Sequence, residues 1–383
     1  MQIAPSHRFR SLDAFRGLAA LIVVVHHAML AVPEGLRGPL GFMESPLGMG
    51  GRFAVMLFFV LSGFVLSLPY FAGKNLPYGP YLVRRFSRLY PPFAFAVLIS
   101  ALLCRLLGGP VLPIASSWLN DPWSKPLTAG VVMSHLLMTG IGVRQSISLD
   151  GPIWSLIIEM RVSLIFPLLV LYIRRFGLAG VAVALAVAFV CAKSQAGLGE
   201  NTAGLVGESL AGTRLLTGRY IVMFLLGVML AARLDRIRQA FLQVPPMLHA
   251  MIFGGMVCIW IAAAYTNVME PHRGFLDVFS GIFTLYLIIS CIAYPKVSAM
   301  LSGRVCLWLG DISYSLYLIH LPVLMSMFYL LYGHLSLIWI IALSFPAMLI
   351  AGHLMHYWIE RPSMNLGRKL AQAGSSTNSA PPK

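Results

Sequence analysis

The residues best suited to chemistry stand at the two ends of the first apolar segment. Residues 12–32 are apolar enough to cross a bilayer, yet they include Asp13, Arg16 and the pair His26–His27. Ionisable groups inside a membrane segment are costly unless paired or hydrated, so a functional role is the default expectation. Arg16 and His27 are separated by about 16 Å of helical rise. Because a neutral imidazole can take a proton from a hydroxyl or attack an acyl carbon, this segment predicts chemistry that communicates across the membrane.

The two histidines are not equivalent. Neighbouring side chains on a helix diverge by about 100°, so only one of His26 and His27 can face the interior. The alternative is an interfacial pair that caps the helix toward water, and the histidines alone do not separate these interpretations.

A basic motif precedes the third apolar segment, in YLVRRFSRLYPPF. Arg85 and Arg88 are three positions apart and therefore share one helical face. Guanidinium forks suit phosphate groups. Taken alone, however, the motif with Arg84 favours contact with anionic lipid, as is common at cytoplasmic helix ends.

An acidic residue, Glu159, lies inside the fourth apolar segment, WSLIIEMRVSLIFPLL. In the orientation derived below it is one or two turns beneath the outer surface, near the expected depth of His27. A buried carboxylate beside a histidine can fix its tautomer and stabilise the imidazolium. An ion pair with Arg161 that only positions helices is the alternative, and both roles are compatible.

One late segment, LWLGDISYSLYLIHLPVL, gathers several polar side chains on a single apolar helix: Asp311, Ser313, Tyr314, Ser315, Tyr317 and His320. Tyr314, Tyr317 and His320 recur at intervals of three, which predicts a polar stripe lining a cavity. Asp13 is expected at the same cavity. Hydroxyls that bond across helices would produce a similar pattern. Ser62–Gly63 is assigned to close helix packing.

These side chains require a membrane scaffold. The 383 residues are 58% hydrophobic and only 11% charged, with a mean hydropathy of +0.81, whereas soluble domains are about 25% charged. The chain is therefore predicted to be an all-α integral membrane protein, and its net charge of +15 is attributed to the bilayer rather than to a nucleic-acid partner. Five cysteines without CxxC spacing are expected to be buried thiols, not disulfides or metal ligands.

Ten stretches are long enough for one crossing of about 20 residues: 12–32, 52–71, 88–108, 153–173, 178–193, 218–234, 247–267, 276–294, 308–331 and 335–358. An eleventh, 129–143, is short and interrupted by His135 and Gly140. If it crossed, the basic clusters at 174–175 and 233–238 would face outward, against the positive-inside rule. We therefore expect about ten transmembrane helices, one short re-entrant or interfacial segment, and both termini in the cytoplasm.

The chain divides into three parts. Residues 1–11 are predicted to be a cytoplasmic N-terminus, residues 12–362 a membrane domain, and residues 363–383 a cytoplasmic, disordered tail rich in Ser, Gly, Asn and Pro. The first apolar run superficially resembles a signal peptide, but its internal Arg16 and the later spans favour a retained helix. No GxSxG, P-loop or HExxH motif occurs.

Six segments, in this order, resemble the membrane-bound acyltransferase family 3: LDAFRGLAALIVVVHHA, FFVLSGF, RRFSRLYP, WSLIIEMR, GDISYSLYLIH and IERP. The resemblance extends over residues 11–362. Members of this family move acyl groups, commonly acetyl, from cytoplasmic acyl-CoA to extracytoplasmic glycans and some small molecules. The resemblance implies the same class of O-acyltransferase activity here, in a bacterial inner membrane.

The resemblance also implies roles for individual residues. His27 falls on the histidine of the family pattern RGxAAxxVVxxH, and is expected to be catalytic together with Glu159. Arg85 and Arg88 match the family's RxxR pair, which is proposed to hold the CoA phosphates, with assistance from Arg16.

The sequence departs from the family at two points. It has Arg161-Val162-Ser163 where aromatic residues are frequent after Glu159, and it has no stretch resembling the SGNH-type esterase domain fused to some relatives. A single membrane domain is therefore expected to complete the transfer.

The expected partners are an acyl-CoA donor, with acetyl-CoA the best match, and an acceptor hydroxyl on a glycan, a lipid-linked sugar or a small molecule. No tightly bound cofactor and no metal are implied. His27 would act as a general base or as a transient acyl carrier. A transporter or permease that uses the buried His, Arg and Glu as a path is the main alternative, but matching halves with broken helices are not apparent. A glycan polymerase or flippase would be expected to have longer outer loops.

Overall fold

The computed structural model describes residues 10–74, 76–124, 126–138, 149–197, 210–266 and 273–376. Within these ranges the regular elements are helices: α1 Arg10–Ala31, α2 Glu44–Phe71, α3 Tyr78–Leu107, α4 Ser117–Trp123, α5 Ala129–Leu136, α6 Ile153–Gly197, α7 Leu210–Ala232, α8 Leu234–Gln243, α9 Pro246–Thr266, α10 Arg273–Ala293, α11 Pro295–Met300, α12 Arg304–Leu331, α13 Leu337–Met355 and α14 Arg361–Ser376. Two 3-10 segments, Glu34–Leu36 and Gly38–Met43, precede α2. The expected all-α membrane protein is confirmed, because nine helical stretches in the described ranges are long and apolar enough to span a membrane.

The longest of these stretches, α6, is a pair of segments joined at Gly177. Gly177 has φ 53 and ψ −129, outside the helical region. The Tyr172 hydroxyl donates to the carbonyl of Gly180 at 2.9 Å, although eight residues of straight helix would separate them by about 12 Å. The chain therefore reverses at Gly177, and the two halves of α6 match two of the ten predicted crossings.

Two short helices between α3 and α6 do not cross the bundle. The helix α5 has 8 residues, or about 12 Å of rise, so the part of segment 129–143 up to residue 138 is not a span, as predicted; residues 139–143 lie outside the described ranges. Helix α4 is fixed to the end of α1, because Ser116 donates through its backbone N–H to Ala31 and through its hydroxyl to Leu30.

The predicted disordered tail is wrong for residues 363–376. They form most of α14, an amphipathic helix that packs against α3. A Cβ at Gly367 would overlap Ser87 of α3, and Ala371 is buried. The composition of the segment suggested a loop, but its small residues instead allow one face to lie close to α3.

Glycines bring the central helices into direct backbone contact. A Cβ on Gly17 of α1 would overlap the backbone at Gly310 of α12, and the reverse is also true of Gly310 against Asp13. Gly63 of α2 and Gly227 of α7 form an equivalent contact, which confirms for Gly63 the packing role assigned to Ser62–Gly63. The first contact sets α1 beside α12 and determines which side chains can meet farther along both helices.

Candidate active site

A cavity lies between α1, α2, α3, α6 and α12. It brings together six of the residues singled out from the sequence: Arg16, Arg85, Arg88, Glu159, Tyr314 and Tyr317. The remaining wall consists of apolar and hydroxyl side chains, among them Phe58, Phe59, Ser62 and Ser155. We refer to it as the central cavity.

The carboxylate of the central cavity is paired with one arginine. Arg85 Nη2 donates to Glu159 Oε1 at 2.9 Å, and the Ser62 hydroxyl donates to the same oxygen at 3.1 Å. Arg85 also donates to the Ser163 hydroxyl at 3.0 Å. Two buried charges require such partners, so the positive charge of Arg85 is largely offset by Glu159.

The other two arginines of the cavity are held more loosely. Arg16 Nη1 lies 3.5 Å from the carboxylate of Asp13 on the same helix. Arg88 Nη1 lies 3.5 Å from the thioether of Met364, which is a weak acceptor, and Arg88 forms no ion pair within the described residues. The wall thus carries three guanidinium groups and one carboxylate, an excess of positive charge suited to a phosphate-bearing ligand.

His27 is paired with another histidine. Its Nδ1 lies 2.8 Å from Nε2 of His320, with the two ring planes within 9° of each other. His320 is completely buried and His27 partly so. His27 also packs against Trp118 of α4, at 5.1 Å between ring centroids. The close backbone contact of α1 with α12 positions these two side chains.

The surroundings of His320 determine the tautomers of the neutral pair. His320 Nδ1 lies 2.9 Å from the carbonyl oxygen of Tyr317 and 3.2 Å from that of Leu316. Carbonyls only accept, so Nδ1 of His320 carries its hydrogen and Nε2 presents a lone pair. His27 Nδ1 must then be the donor between the rings. Nε2 of His27 is left with the free lone pair, which is the form required of a general base or nucleophile.

Tyr317 stands between the histidines and the central cavity. Its ring centroid is 6.1 Å from that of His320, and the ring is also part of the cavity wall. Its hydroxyl is 2.8 Å from that of Ser155 and donates to the carbonyl of Pro152 at 3.3 Å. Tyr317 therefore borders both the arginine-lined cavity and the His27–His320 pair.

Three sequence-based placements differ from the observed arrangement. Asp13 and His320 are not part of the described cavity wall, because α1 packs on Gly310 at Asp13 and because His320 is turned toward His27. Glu159 binds Arg85 and Ser62 and makes no hydrogen bond to His27 among the described residues. His320 occupies the position expected of Glu159 as the partner of His27.

Two further alternatives are resolved by the contacts. His26 faces α2, where a Cβ at Gly51 would lie 2.7 Å from its ring, so it points away from His320. Arg161 donates to Thr213 and Thr217 of α7 at 2.9 and 3.0 Å. The ion pair of Glu159 is formed with Arg85 rather than with Arg161.

Three residues in or near the site were not assigned a site role from the sequence. Ser62 was assigned to packing, yet its hydroxyl binds Glu159. Ser155 lies within the quoted WSLIIEMR segment, four positions before Glu159 and hence on the same helical face. Glu360 of IERP is buried and accepts hydrogen bonds from Ser315 at 2.7 Å and from His356 at 2.9 Å. These bonds fix the first half of α12.

Comparison with known proteins gives a consistent assignment. The sequence profile of the acyltransferase domain family, acyltransferase family 3, matches residues 9–356. The chain is 28% identical to acyltransferase MdmB of Streptomyces mycarofaciens, over 94% of this chain and 93% of that protein. It is 24% identical to the putative peptidoglycan O-acetyltransferase YrhL of Bacillus subtilis, over 94% of this chain and 56% of that protein.

Over a shorter stretch, the chain is 34% identical to protein 2 in the picA locus of Rhizobium radiobacter, covering 43% of this chain and 84% of that protein. The comparison with solved structures gave no match. Since the family profile covers nearly the whole chain, and since that chain forms a bundle of membrane-spanning helices, the protein belongs to acyltransferase family 3 and is a membrane-embedded acyltransferase.

Proposed function

We propose that this acyltransferase moves an acetyl group from acetyl-CoA on the cytoplasmic side to a hydroxyl of an extracytoplasmic glycan or a related acceptor. The observation that carries this proposal is the His27–His320 hydrogen bond of 2.8 Å, which leaves Nε2 of His27 with a free lone pair. The name of YrhL, an O-acetyltransferase, supports an acetyl donor and a hydroxyl acceptor.

The donor is assigned to the arginines of the central cavity. Among the described residues, Arg88 has only a thioether partner and Arg16 only a long contact to Asp13, so both keep donors for the phosphates of CoA. Arg85, which is offset by Glu159, would set the shape of the cavity. The pantetheine arm must then carry the thioester toward His27, over a distance comparable with the rise of about 16 Å from Arg16.

In the direct route, His27 Nε2 accepts the proton of the acceptor hydroxyl as the oxygen attacks the thioester carbonyl. The new C–O bond forms, the C–S bond breaks, and the CoA thiolate leaves and takes up the proton from the imidazolium. His320 accepts the Nδ1–H bond throughout and holds the ring in one orientation. General-base catalysis of this kind contributes about 10²–10⁴-fold to a rate.

In the alternative route, His27 Nε2 itself attacks the thioester carbonyl and forms a bond to the acyl carbon as the C–S bond breaks. CoA leaves as a thiolate and His27 is an acyl-imidazolium at this stage. The acceptor oxygen then attacks the acyl carbon, the hydroxyl proton passes to the CoA thiolate, and neutral His27 is released. Both routes require the same tautomer of His27. Trapping of labelled acyl-histidine in the absence of acceptor would distinguish them.

The test is transfer of radiolabelled acetyl from acetyl-CoA to cell-envelope glycan, in membranes that contain wild type, His27→Ala or His26→Ala protein at equal levels. We expect His27→Ala to lose about 10²-fold or more of the labelling, and His26→Ala, whose ring faces α2, to retain most of it. Full labelling by His27→Ala would remove His27 from the reaction. No labelling by wild type would overturn the assignment of acetyl donor and glycan acceptor.

A further inference from the structure

A second cavity opens at the end of the bundle predicted to be cytoplasmic. Its wall is formed by the end of α2, the reversal in α6 and the end of α7, and it shares no lining residue with the central cavity. The lining residues are Phe71, Ile173, Arg174, Arg175, Phe176, Gly177, Met229, Ala232 and Arg233. Three of them are arginines and none is acidic.

The three guanidinium groups have no carboxylate partner within the described residues. Arg174 donates to the carbonyl of Tyr70, and its guanidinium carbon lies 5.3 Å from the ring centroid of Phe71. The side chains of Arg175 and Arg233 make no ion pair there. Like charges gathered in one concave site repel one another, and an anion that bridges them relieves this repulsion.

The cavity is a fixed feature of the fold because it depends on the backbone at Gly177. With φ 53, this position favours glycine. A Cβ there would lie 3.4 Å from Nη2 of Arg233, so the turn and the Arg233 side chain are already in close contact. The reversal in α6 therefore brings Arg174, Arg175 and Arg233 to one site from two different helices.

The surroundings indicate a ligand that is partly apolar. Phe176, a wall residue, is 55% exposed, and the nearby Leu171 and Leu178 on α6 are 57% and 62% exposed. Side chains of this kind at a membrane end are suited to contact with acyl chains, while arginines at the same level bind phosphate. We propose that this cavity binds the phosphate of an anionic phospholipid headgroup, whose acyl chains lie along α6.

This proposal is independent of the proposed function, and its test does not use catalysis. The melting temperature of purified full-length protein in a neutral detergent is measured as phosphatidylglycerol is titrated in, with phosphatidylcholine as the uncharged reference. The test variant is Arg175→Gln with Arg233→Gln, which keeps the contacts of Arg174 to α2. The matched control is Arg236→Gln with Arg304→Gln, two exposed arginines outside the cavity.

We expect phosphatidylglycerol, but not phosphatidylcholine, to raise the melting temperature of wild type and of the control. The half-saturating lipid concentration should increase at least 10-fold in the cavity variant, equivalent to about 1.4 kcal/mol. Equal titrations of the cavity variant and wild type would overturn the proposal. If the double variant does not fold, the single variants Arg175→Gln and Arg233→Gln decide the question on the same criterion.

A separate arm distinguishes the source of the phosphate. Inorganic phosphate and acetyl-CoA are titrated in place of lipid against the same proteins. If either stabilises wild type as strongly as phosphatidylglycerol, through Arg175 and Arg233, the lipid assignment is overturned in favour of a soluble phosphate. Stabilisation by lipid alone supports the proposal.

Discussion

Two arginine–carboxylate clusters in the described part of the bundle differ in how their guanidinium donors are used. In the central cavity, Arg85 holds Glu159 at 2.9 Å while Arg16 and Arg88 line the same wall. In the second cluster, Arg52 of α2 and Arg219 of α7 both bind Asp277 of α10. None of these three residues lies in the wall of the central cavity.

The second cluster uses both oxygens of its carboxylate. Arg52 binds Asp277 in a two-point contact of 2.6 and 2.9 Å, and Arg219 adds a bond of 2.9 Å. The side chains of Asp277 and Arg219 are only 3% and 6% exposed. This arrangement ties three helices together and acts as a clamp.

The comparison shows that a buried charge in a membrane helix is not by itself a sign of catalysis. Both clusters satisfy the expectation that such charges are paired and face the bundle interior. In the central cavity, guanidinium donors, in particular those of Arg88, face open space. In the second cluster, both oxygens of Asp277 are bound by arginines from two helices. Substitutions should therefore separate into effects on folding and effects on turnover.

The largest expected effect is on folding, from Asp277→Ala. The change leaves Arg52 and Arg219 buried without a carboxylate, and loss of one partner of a buried pair costs about 3–5 kcal/mol. Glu159→Ala should cost less stability, because the Glu159 side chain is 16% exposed against 3% for Asp277. The measurement is the melting temperature in detergent. A normally folded Asp277→Ala protein with a raised KM for acetyl-CoA would instead place the clamp in donor binding.

Substitution of His320 tests whether this fully buried residue contributes to the reaction by holding His27. His320→Ala removes the acceptor of the His27 Nδ1–H bond, and we expect kcat to fall about 10–100-fold with little change in the KM for acetyl-CoA. His320→Gln offers an amide oxygen near the former Nε2 and should recover much of this loss. Equal kcat values for the two variants would show that only the volume of His320 matters.

Arg88→Gln tests whether an arginine of the central cavity that has no carboxylate partner among the described residues binds the donor. Charge-assisted hydrogen bonds contribute about 1.5–3 kcal/mol, so we expect the KM for acetyl-CoA to rise about 10-fold while the melting temperature stays unchanged. Arg84→Gln, on a different face of α3, is the matched control. An unaltered KM for Arg88→Gln would remove this residue from phosphate binding.

The sequence predicted the helices well because each crossing requires a long apolar run. The family resemblance grouped Arg16, Arg85 and Arg88 at one site, but Glu159 was expected beside His27 and instead lies with the arginines. The sequence did not predict the bond between His27 and His320, which joins residues 293 positions apart. That contact depends on the depth at which Gly17 and Gly310 allow α1 and α12 to approach. Periodicity assigns a residue to a helical face but does not give the vertical register of two helices.

The clamp was missed for a related reason. Arg52 and Asp277 stand at the ends of predicted spans, where charged residues are ordinary, and their partnership becomes visible only when α2, α7 and α10 are assembled. Similarly, residues 363–376 were expected to belong to a disordered tail because the end of the chain is rich in Ser, Gly, Asn and Pro. The small residues Gly367 and Ala371 instead provide a face that packs closely on α3.

Another buried carboxyl, Asp150, extends the comparison to a carboxyl that has no arginine partner among the described residues. It lies in the loop before α6, is 0% exposed, and neither of its carboxyl oxygens has a hydrogen-bond partner in the described part of the chain. Burial raises the pKa of Asp150 well above its usual value, because a charged carboxylate is poorly solvated there. We therefore expect the folded protein to keep this group protonated where the unfolded chain has already ionised.

The consequence is a loss of stability as pH rises between the ordinary carboxyl pKa and the raised pKa of the folded state. In this interval the folded protein binds the extra proton, so the slope approaches about 1.4 kcal/mol per pH unit; below the ordinary pKa both states are protonated and the contribution is constant. Asp150→Asn removes the titration and should flatten the dependence of melting temperature on pH. Parallel curves for wild type and Asp150→Asn would mean that this carboxyl is ionised in the folded protein and stabilised by a cation. Asp150 would then belong with the two paired carboxylates, Glu159 and Asp277, and not stand in contrast to them.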